Sequence, residues 1–414
     1  MPMKTKRSPT GCTAVDPVIV QIMPFLSALR DTGYSEYTLQ IKRGILNTFT
    51  KWLRHQSIPV QGVNEGTVVA FIKCRPGKGK ARIGSERTVL LAFLAFLRNS
   101  GTISTPPIKI LSTDDLLLQR YSKYLMDERG LLDRTIKVYL GLIRIFLAGA
   151  AFKADSRSPG CWDAQIVRNF LLGVARARSN KSVHGMATAL RSFFRFLYQH
   201  DETAANLALA VPMVRKWRQA GIPPHLTSEQ IEKTLATADR STSRGRRDYA
   251  ILTLLARLGL RAGEVARLEL ADIHWRTGEI LIHGKGRRID CLPLLADIGE
   301  ALADYLQKDR GKSVSRMVFL RIQAPHIGLE GASGISQIVG RAFAHAGIRP
   351  GERVGAHLFR HSLATRMIRH GASIPEISEV LRHQFPSTTQ IYAKVDIDAL
   401  REVALPWPGG RGLR

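Results

Sequence analysis

The chain has 414 residues, and its 44% hydrophobic and 23% charged composition is that of a folded protein, which excludes a disordered or fibrous chain. Its 61 Lys and Arg residues against 34 Asp and Glu give a net charge of +27, spread along the whole length. A basic body of this kind predicts a polyanionic partner, with nucleic acid favoured over an anionic membrane surface.

The amino terminus and the cysteines exclude further classes of protein. No apolar run reaches the length of about 18 residues that a membrane-spanning helix needs. The start, MPMKTKRSPTGC, lacks the apolar segment of a signal peptide, so we expect an intracellular protein whose residues 1–16 are a disordered basic tail. The four cysteines are scattered without a CxxC pair, which argues against a zinc ribbon or a disulfide framework.

An internal repeat occupies the first half of the chain. GYSEYTLQIKRGILNTFTKWL from Gly33 aligns with GLLDRTIKVYLGLIRIFLAGA from Gly130 at an offset of 97 residues, and TVLLAFLAFLRNSG aligns with TALRSFFRFLYQHD 100 residues further on. Apolar residues recur at helical spacing in these segments, and proline-rich stretches end each repeat. We therefore predict two related helical modules, at 17–108 and 109–220, in preference to a chance similarity between amphipathic helices.

A basic segment, KCRPGKGKAR, interrupts the first module. Its five cations are Lys73, Arg75, Lys78, Lys80 and Arg82. The segment lacks both the spacing and the hydroxyl of a P-loop. We predict a loop that contacts a DNA backbone and rank this above a plain solvated loop.

The last third, residues 221–400, mixes helix and strand. TSEQIEKTLATA predicts a capped helix, and GEILIHGKGRRIDCLPL predicts a β-hairpin with Lys285 at its turn. AHLFRHSLATRM, Ala356 to Met367, predicts a partly buried helix. The predicted fold class is therefore mainly α with a small β-sheet, in which two helical modules precede an α+β domain and residues 401–414 form a C-terminal tail.

Four short elements of this last third resemble, in their order and spacing, the tyrosine recombinases of the phage integrase family. They are GLRAGE with Arg261, the hairpin with Lys285, HLFRH with His357 and Arg360, and RHQFPSTTQIY, in which His383 precedes Tyr392 by nine residues. The resemblance covers residues 225–400 and implies a recombinase catalytic domain there, which makes the two helical modules before it SAM-like core-binding modules. The chain departs from the family pattern at Arg382, where relatives usually have Gly, and in its additional amino-terminal module.

Cleavage and resealing of DNA through a tyrosine is the activity that the resemblance implies. Tyr392 would attack the scissile phosphate to give a 3′-phosphotyrosyl link and a free 5′-hydroxyl, with no metal and no cofactor. The planar forks of Arg261 and Arg360 suit bidentate contact with the non-bridging oxygens.

The remaining site residues take roles that also come from the resemblance. Lys285 would protonate the leaving 5′ oxygen, His357 would accept the tyrosine proton, and His383 would donate to the phosphate. We expect His361 and Glu264 to support the two arginines.

The resemblance further implies double-stranded DNA as partner and a homotetramer on paired sites, alone or with related recombinases. It places the protein in the bacterial cytoplasm, associated with the nucleoid and with no membrane, where it would integrate, excise or transpose a mobile element. The alternatives are a type IB topoisomerase-like nicking and closing enzyme and a catalytically inactive DNA-binding regulator. A zinc hydrolase on His357 and His361 is disfavoured because Leu358 stands where HExxH has Glu.

Overall fold

The computed structural model describes most of the chain. The described residues are 17–74, 80–104, 112–149, 159–214, 223–284, 288–311, 313–329, 331–348 and 355–395. The chain divides into two compact units, Pro106–Ala220 and the remainder, Met1–Thr105 together with Gly221–Arg414. The division into domains 17–108, 109–220 and 221–400 stays a prediction. The two compact units separate only the middle segment from the rest of the chain. The predicted tails, 1–16 and 401–414, lie outside the described residues.

The described residues form seventeen α-helices and three β-strands. The helices are α1 Pro17–Val20, α2 Ile22–Asp31, α3 Glu36–His55, α4 Glu65–Lys73, α5 Lys80–Asn99, α6 Thr113–Asp127, α7 Asp133–Leu147, α8 Ala164–Ala177, α9 Asn180–Gln199, α10 Ser228–Ala236, α11 Ser243–Leu258, α12 Ala262–Ala266, α13 Ala296–Lys308, α14 Gly331–His345, α15 His357–Arg369, α16 Ile374–Val380 and α17 Pro386–Thr389. The strands are β1 Ile273–His274, β2 Glu279–His283 and β3 Ile289–Pro293. None of these helices is both long and apolar enough to span a bilayer.

Helices α1 to α5 enclose one hydrophobic core. Leu46 and Phe49 of α3 and Phe93 of α5 have no exposed surface. The side chains of Ser35 and Asn64 accept backbone N–H bonds at the starts of α3 and α4. These caps satisfy amide groups that the helices leave unpaired, and so fix where each helix begins.

Helices α6 to α9 enclose a second core with a matching aromatic contact. In the first module the rings of Phe49 and Phe71 lie 5.1 Å apart at 73°. In the second module the rings of Phe146 and Phe170 lie 5.0 Å apart at 83°. The repeat in the sequence pairs Phe49 with Phe146, and in each module this phenylalanine makes an edge-on contact with a second phenylalanine.

The residues from α10 onward surround a third core and carry a three-stranded antiparallel sheet in the order β1-β2-β3. Ile280 and Ile282 of β2 point into the core, and the register of β2 with β3 pairs Ile282 with Asp290. The predicted hairpin strands are confirmed, whereas β1 was not predicted. The fold class, mainly α with a small sheet, is confirmed as well.

Two helices predicted in this region are present. Thr227 caps α10 with its hydroxyl on the Gln230 N–H, and the Gln230 side chain accepts the Thr227 N–H in return. The segment AHLFRHSLATRM forms most of α15, in which Leu358 and Phe359 are buried. These buried residues hold α15 in place and so fix the positions of Arg360 and His361, which follow them on the helix.

Candidate active site

Arg261, His383 and Tyr392 lie around the guanidinium of Arg360. Arg261 is the N-cap of α12, Arg360 lies in α15, His383 follows α16, and Tyr392 lies in a 3-10 turn, Gln390–Val395. Arg261 and Arg360 both lie near enough to His383 and Tyr392 to shift their pKa values. The fold therefore brings together four residues that stand far apart in the sequence.

Arg360 is buried and bound to two backbone carbonyls. Its side chain donates from Nη1 to the Gly259 carbonyl at 2.8 Å and from Nη2 to the Leu381 carbonyl. Burial and the neighbouring cations Arg261 and Arg382 lower the pKa of Arg360 to about 9, so the group is still charged at neutral pH. Because Gly259 precedes α12 and Leu381 ends α16, the guanidinium joins these two elements.

Gly259 makes this arrangement possible. It ends α11 in the left-handed region, with φ +57°, where residues with a side chain are strained. A Cβ at this position would lie 2.9 Å from Leu363 Cδ2 and 3.2 Å from Leu381 Cδ2. Only glycine fits this turn without displacing its neighbours.

Glu264 anchors Arg261 through two hydrogen bonds. The Arg261 side chain donates from Nη1 to Oε1 at 2.7 Å, and the Arg261 backbone N–H donates to Oε2 at 2.8 Å. Burial disfavours the charged form of Glu264, but the bond from the Arg261 backbone and the charge of Arg382 outweigh it, so the pKa of Glu264 is lowered. The carboxylate is 3% exposed and the Arg261 side chain 36%, so Arg261 is anchored on one side and open on the other.

The hydroxyl of Tyr392 contacts His361. The Tyr392 oxygen lies 2.8 Å from Nδ1 of His361, and their rings are 5.6 Å apart. The tyrosine is 1% exposed and packs with Leu363 and Ile377. Burial raises the pKa of Tyr392 to about 12, against the opposing effect of Arg360. The phenol is therefore protonated at neutral pH and needs a proton acceptor to become a nucleophile.

His383 stacks beside Tyr392. The two rings are nearly parallel, 6.4 Å apart at 5°, and Nδ1 of His383 lies 2.7 Å from the hydroxyl oxygen of Thr389. Burial, Arg360 and Arg261 together lower the pKa of His383 to about 4. His383 is therefore neutral at pH 7, and a neutral imidazole donates from only one ring nitrogen.

His357 lies on the same helix as His361, one turn earlier, and its expected role as proton acceptor stays a prediction. It is the first residue of α15, is exposed, and has its ring 6.4 Å from that of His361. The hydrogen bond to the Tyr392 hydroxyl described above involves His361, which we had expected only to support the two arginines. Among the described residues, no three His, Cys, Asp or Glu side chains are grouped as ligands for a metal ion.

Arg382, a departure from the family pattern in the sequence, contacts the site residue Glu264 in the structure. It has a φ of +54°, a conformation that costs a residue with a side chain about 1–2 kcal/mol. This explains why glycine suits the position. Its side chain, 5% exposed, donates from Nη2 to Glu264 Oε2 at 3.0 Å.

The remaining predicted residues belong to the hairpin turn and to the basic segment of the first module. Outside the described residues lie Lys285, Arg75 and Lys78. Lys80 and Arg82 belong to α5, but their side chains are not described, and Lys73 is exposed at the end of α4. The roles expected of Lys285 and of the basic segment stay predictions.

Comparisons with known proteins show which families this chain is similar to. Residues 224–398 match the model of the phage integrase family. The chain is 39% identical over 401 residues to the putative integrase/recombinase y4rA of Sinorhizobium fredii, covering 95% of each protein. It is 31% identical over 298 residues to the tyrosine recombinase XerC of Oceanobacillus iheyensis, covering 70% of this chain and 94% of that relative.

Solved structures share the fold. A lambda integrase fragment (75–356), a dimer bound to a COC′ core site, gives a TM-score of 0.53 at 18% identity, over 70% of this chain and 98% of the fragment. The XerH site-specific recombinase bound to palindromic difH substrate, a post-cleavage complex, gives a TM-score of 0.53 at 19% identity, over 72% of this chain and 97% of that chain.

Proposed function

The chain belongs to the phage integrase family and is a tyrosine-type site-specific recombinase, and from this premise we propose that Tyr392 cleaves and rejoins DNA strands through a covalent 3′-phosphotyrosyl intermediate. The observation that carries the proposal is the hydrogen bond between the Tyr392 hydroxyl and His361, beside the charged guanidinium of Arg360. A nucleophile, a proton acceptor and a cation for the phosphate thus lie together.

The first step is attack of the Tyr392 oxygen on phosphorus. A new O–P bond forms, the bond to the 5′ oxygen breaks, and the phenol proton passes to Nδ1 of His361, the group that lies 2.8 Å away. This assignment places the base at His361 instead of His357. The family pattern supports Lys285 as the acid that protonates the leaving 5′ oxygen.

Arg261 and Arg360 would stabilise the negative charge that develops on the phosphate. Arg360 is held by two backbone carbonyls and Arg261 by Glu264, so neither guanidinium needs to reorganise when the charge appears. His383 is neutral at pH 7 and would donate one N–H to the same phosphate.

Resealing is the reverse of cleavage. A 5′-hydroxyl attacks the phosphotyrosine, the O–P bond to Tyr392 breaks, and the phenol regains its proton. The bond energy is kept throughout, so the cycle uses no nucleotide and no other cofactor.

The partner in this proposal is double-stranded DNA, bound by a tetramer on paired sites inside a bacterial cell. The net charge of +27 supports the DNA partner. A lambda integrase tetramer bound to a Holliday junction, which shares the fold at a TM-score of 0.52, supports the assembly. We place the reaction in the movement of a mobile element, for which the shared fold of the Tn1549 transposon integrase gives support. The relatives do not favour a type IB topoisomerase or an inactive regulator.

Covalent trapping tests the mechanism. The Tyr392→Phe protein first selects binding sites from a pool of random duplexes, and the selected duplexes are then nicked near the bound centre so that the cleaved end diffuses away. We expect the native protein to become linked to DNA, as seen on a denaturing gel, and Tyr392→Phe to remain unlinked.

The matched control is Tyr37→Phe, because Tyr37 is 74% exposed and lies in the first module. This variant should form the adduct at the native rate. If the native protein binds the selected DNA but forms no adduct, or if Tyr392→Phe still forms one, the proposal is wrong.

A further inference from the structure

Arg382 combines a strained backbone with a buried charge. It follows α16 with a φ of +54°, and its side chain is 5% exposed. Glycine would adopt this conformation without strain, and relatives of the resembled family usually have Gly here. A side chain kept at such a position needs a contact that offsets the strain, and burial lowers the pKa of the Arg382 guanidinium, which adds to that need.

The contact that Arg382 makes is with the carboxylate that anchors Arg261. Nη2 of Arg382 lies 3.0 Å from Oε2 of Glu264, the oxygen that also accepts the backbone N–H of Arg261. The other oxygen, Oε1, accepts from the side chain of Arg261. Glu264 is therefore fixed from two sides, and Arg382 supplies one of them.

A second carboxylate near Arg382 is that of Asp290, in strand β3, which follows Lys285 in the chain. Oδ2 of Asp290, in β3, is 3.8 Å from Nε of Arg382, within ion-pair distance. Nε and Nη1 of Arg382 are buried and have no hydrogen-bond partner among the described residues. Buried donors without a partner are costly, so a small movement of β3 that brings Asp290 into hydrogen-bond range would be favourable.

We propose that Arg382 is a positioning residue for DNA cleavage: it holds Glu264, and through it Arg261, in the orientation that meets the phosphate, and it joins this anchor to β3 through Asp290. The inference rests on the proposed covalent mechanism. Without Arg382, the bonds that Glu264 keeps within the described part of the chain are those to Arg261, and the pair can turn together toward solvent. A misplaced Arg261 slows the reaction more than it weakens DNA binding, because the charge that it stabilises develops in the transition state.

The test uses Arg382→Gly in the full chain, with the DNA that the native protein cleaves. Glycine suits the backbone here, so the variant should fold, and Ser57→Gly serves as the matched control since Ser57 is exposed with a φ of +51°. We expect Arg382→Gly to form the adduct about ten- to a hundredfold more slowly at saturating DNA, with the dissociation constant for DNA changed by about twofold or less. Ser57→Gly should react at the native rate, and Arg382→Lys should recover part of the loss.

A double-mutant cycle with Glu264→Gln separates positioning from general support of the fold. If Arg382 acts through Glu264, Arg382→Gly will add little to the slowing that Glu264→Gln causes alone. Asp290→Asn should slow adduct formation as well, by less than Arg382→Gly.

Three results would overturn the inference: a native rate for Arg382→Gly, additive effects in the cycle, or a loss of cleavage that only follows a loss of DNA binding. The native protein is measured in the same experiment. No adduct from the native protein rejects the covalent mechanism itself, whereas a native adduct with an unaffected Arg382→Gly rejects the positioning role alone.

Discussion

Nδ1 of His361 lies 2.8 Å from the hydroxyl oxygen of Tyr392, although the two residues are 31 positions apart in the chain. His361 lies one turn after His357 on α15, and this turn brings it over the 3-10 turn that carries the tyrosine. In the proposed mechanism the HLFRH motif thus provides both the arginine that would bind the phosphate and the hydrogen-bond partner of Tyr392.

We expect His361→Ala to slow adduct formation by about a hundredfold or more, because the phenol loses its proton acceptor. Replacing Tyr392 by 3-fluorotyrosine, a more acidic phenol, should restore much of the rate in this variant. His357→Ala should gain no comparable benefit from the same replacement. Rescue of His357→Ala instead of His361→Ala in single-turnover assays would return the base role to His357.

Arg360→Lys tests the requirement for a planar fork. Lysine cannot satisfy the Gly259 and Leu381 carbonyls in the geometry of a guanidinium, so we expect a loss of about 1–3 kcal/mol in the free energy of unfolding. Adduct formation should fall by about a hundredfold or more. The control is Arg267→Lys, whose exposed guanidinium also bonds a carbonyl, that of His283, and whose stability should change by about 0.5 kcal/mol or less. Chemical denaturation measures the free energy of unfolding of the two variants. Equal losses would contradict a requirement for the planar guanidinium at Arg360.

Gly259→Ala should destabilise the protein for two separable reasons. The positive φ alone costs about 1–2 kcal/mol, and the new methyl group also meets Leu363 and Leu381. Gly278→Ala isolates the first effect, because Gly278 has a φ of +69° with no atom within 4 Å of the added Cβ. Thermal unfolding should therefore show a larger loss for Gly259→Ala. Similar losses for both variants would mean that the side chains of Leu363 and Leu381 move away from the added methyl group at little cost.

The pKa of His383 predicts how stability depends on pH. In the folded protein this pKa is about 4, whereas an unfolded histidine titrates near pH 6.5, so the unfolded chain binds the proton more readily between these values. The stability that neutral His383 contributes is complete above about pH 6.5 and is lost as the pH falls toward about 4. The melting temperature should therefore drop less on acidification in His383→Asn than in the native protein. Parallel curves for the two proteins would refute the assignment.

Binding of DNA should weaken steeply with salt. A net charge of +27 spread along the chain predicts many phosphate contacts, each of which releases counterions. With about six or more contacts, affinity should fall by about a thousandfold between about 50 and 200 mM salt. Fluorescence anisotropy with the Tyr392→Phe protein measures this without covalent trapping, and a flat response would contradict a role for the basic charge.

Much of the catalytic region could be predicted from the sequence because its signals are local. The helix over Ala356 to Met367 and the two strands of the hairpin follow from periodicity, and both are confirmed. Strand β1 has only two residues, too few for an alternating pattern to show. Its place in the sheet depends on pairing with β2.

The details of the site were harder to predict because they depend on packing between distant segments. The contact of His361 with Tyr392 requires the Gln390–Val395 turn to pack against α15. The role of Arg382 depends on a positive φ and on Glu264, which is 118 positions away. The departure of Arg382 from the family pattern was the signal in the sequence, but only the geometry gives it a meaning.

The burial of Tyr392 has a consequence for the timing of the reaction. In-line attack needs the phosphorus within about 3–3.5 Å of the phenolic oxygen, and a tyrosine that is 1% exposed leaves no space for a phosphate at that distance. Cleavage must therefore follow a rearrangement that uncovers the ring. In the proposed mechanism Tyr392 therefore stays buried until bound DNA causes this rearrangement, and DNA that does not cause it is not cleaved.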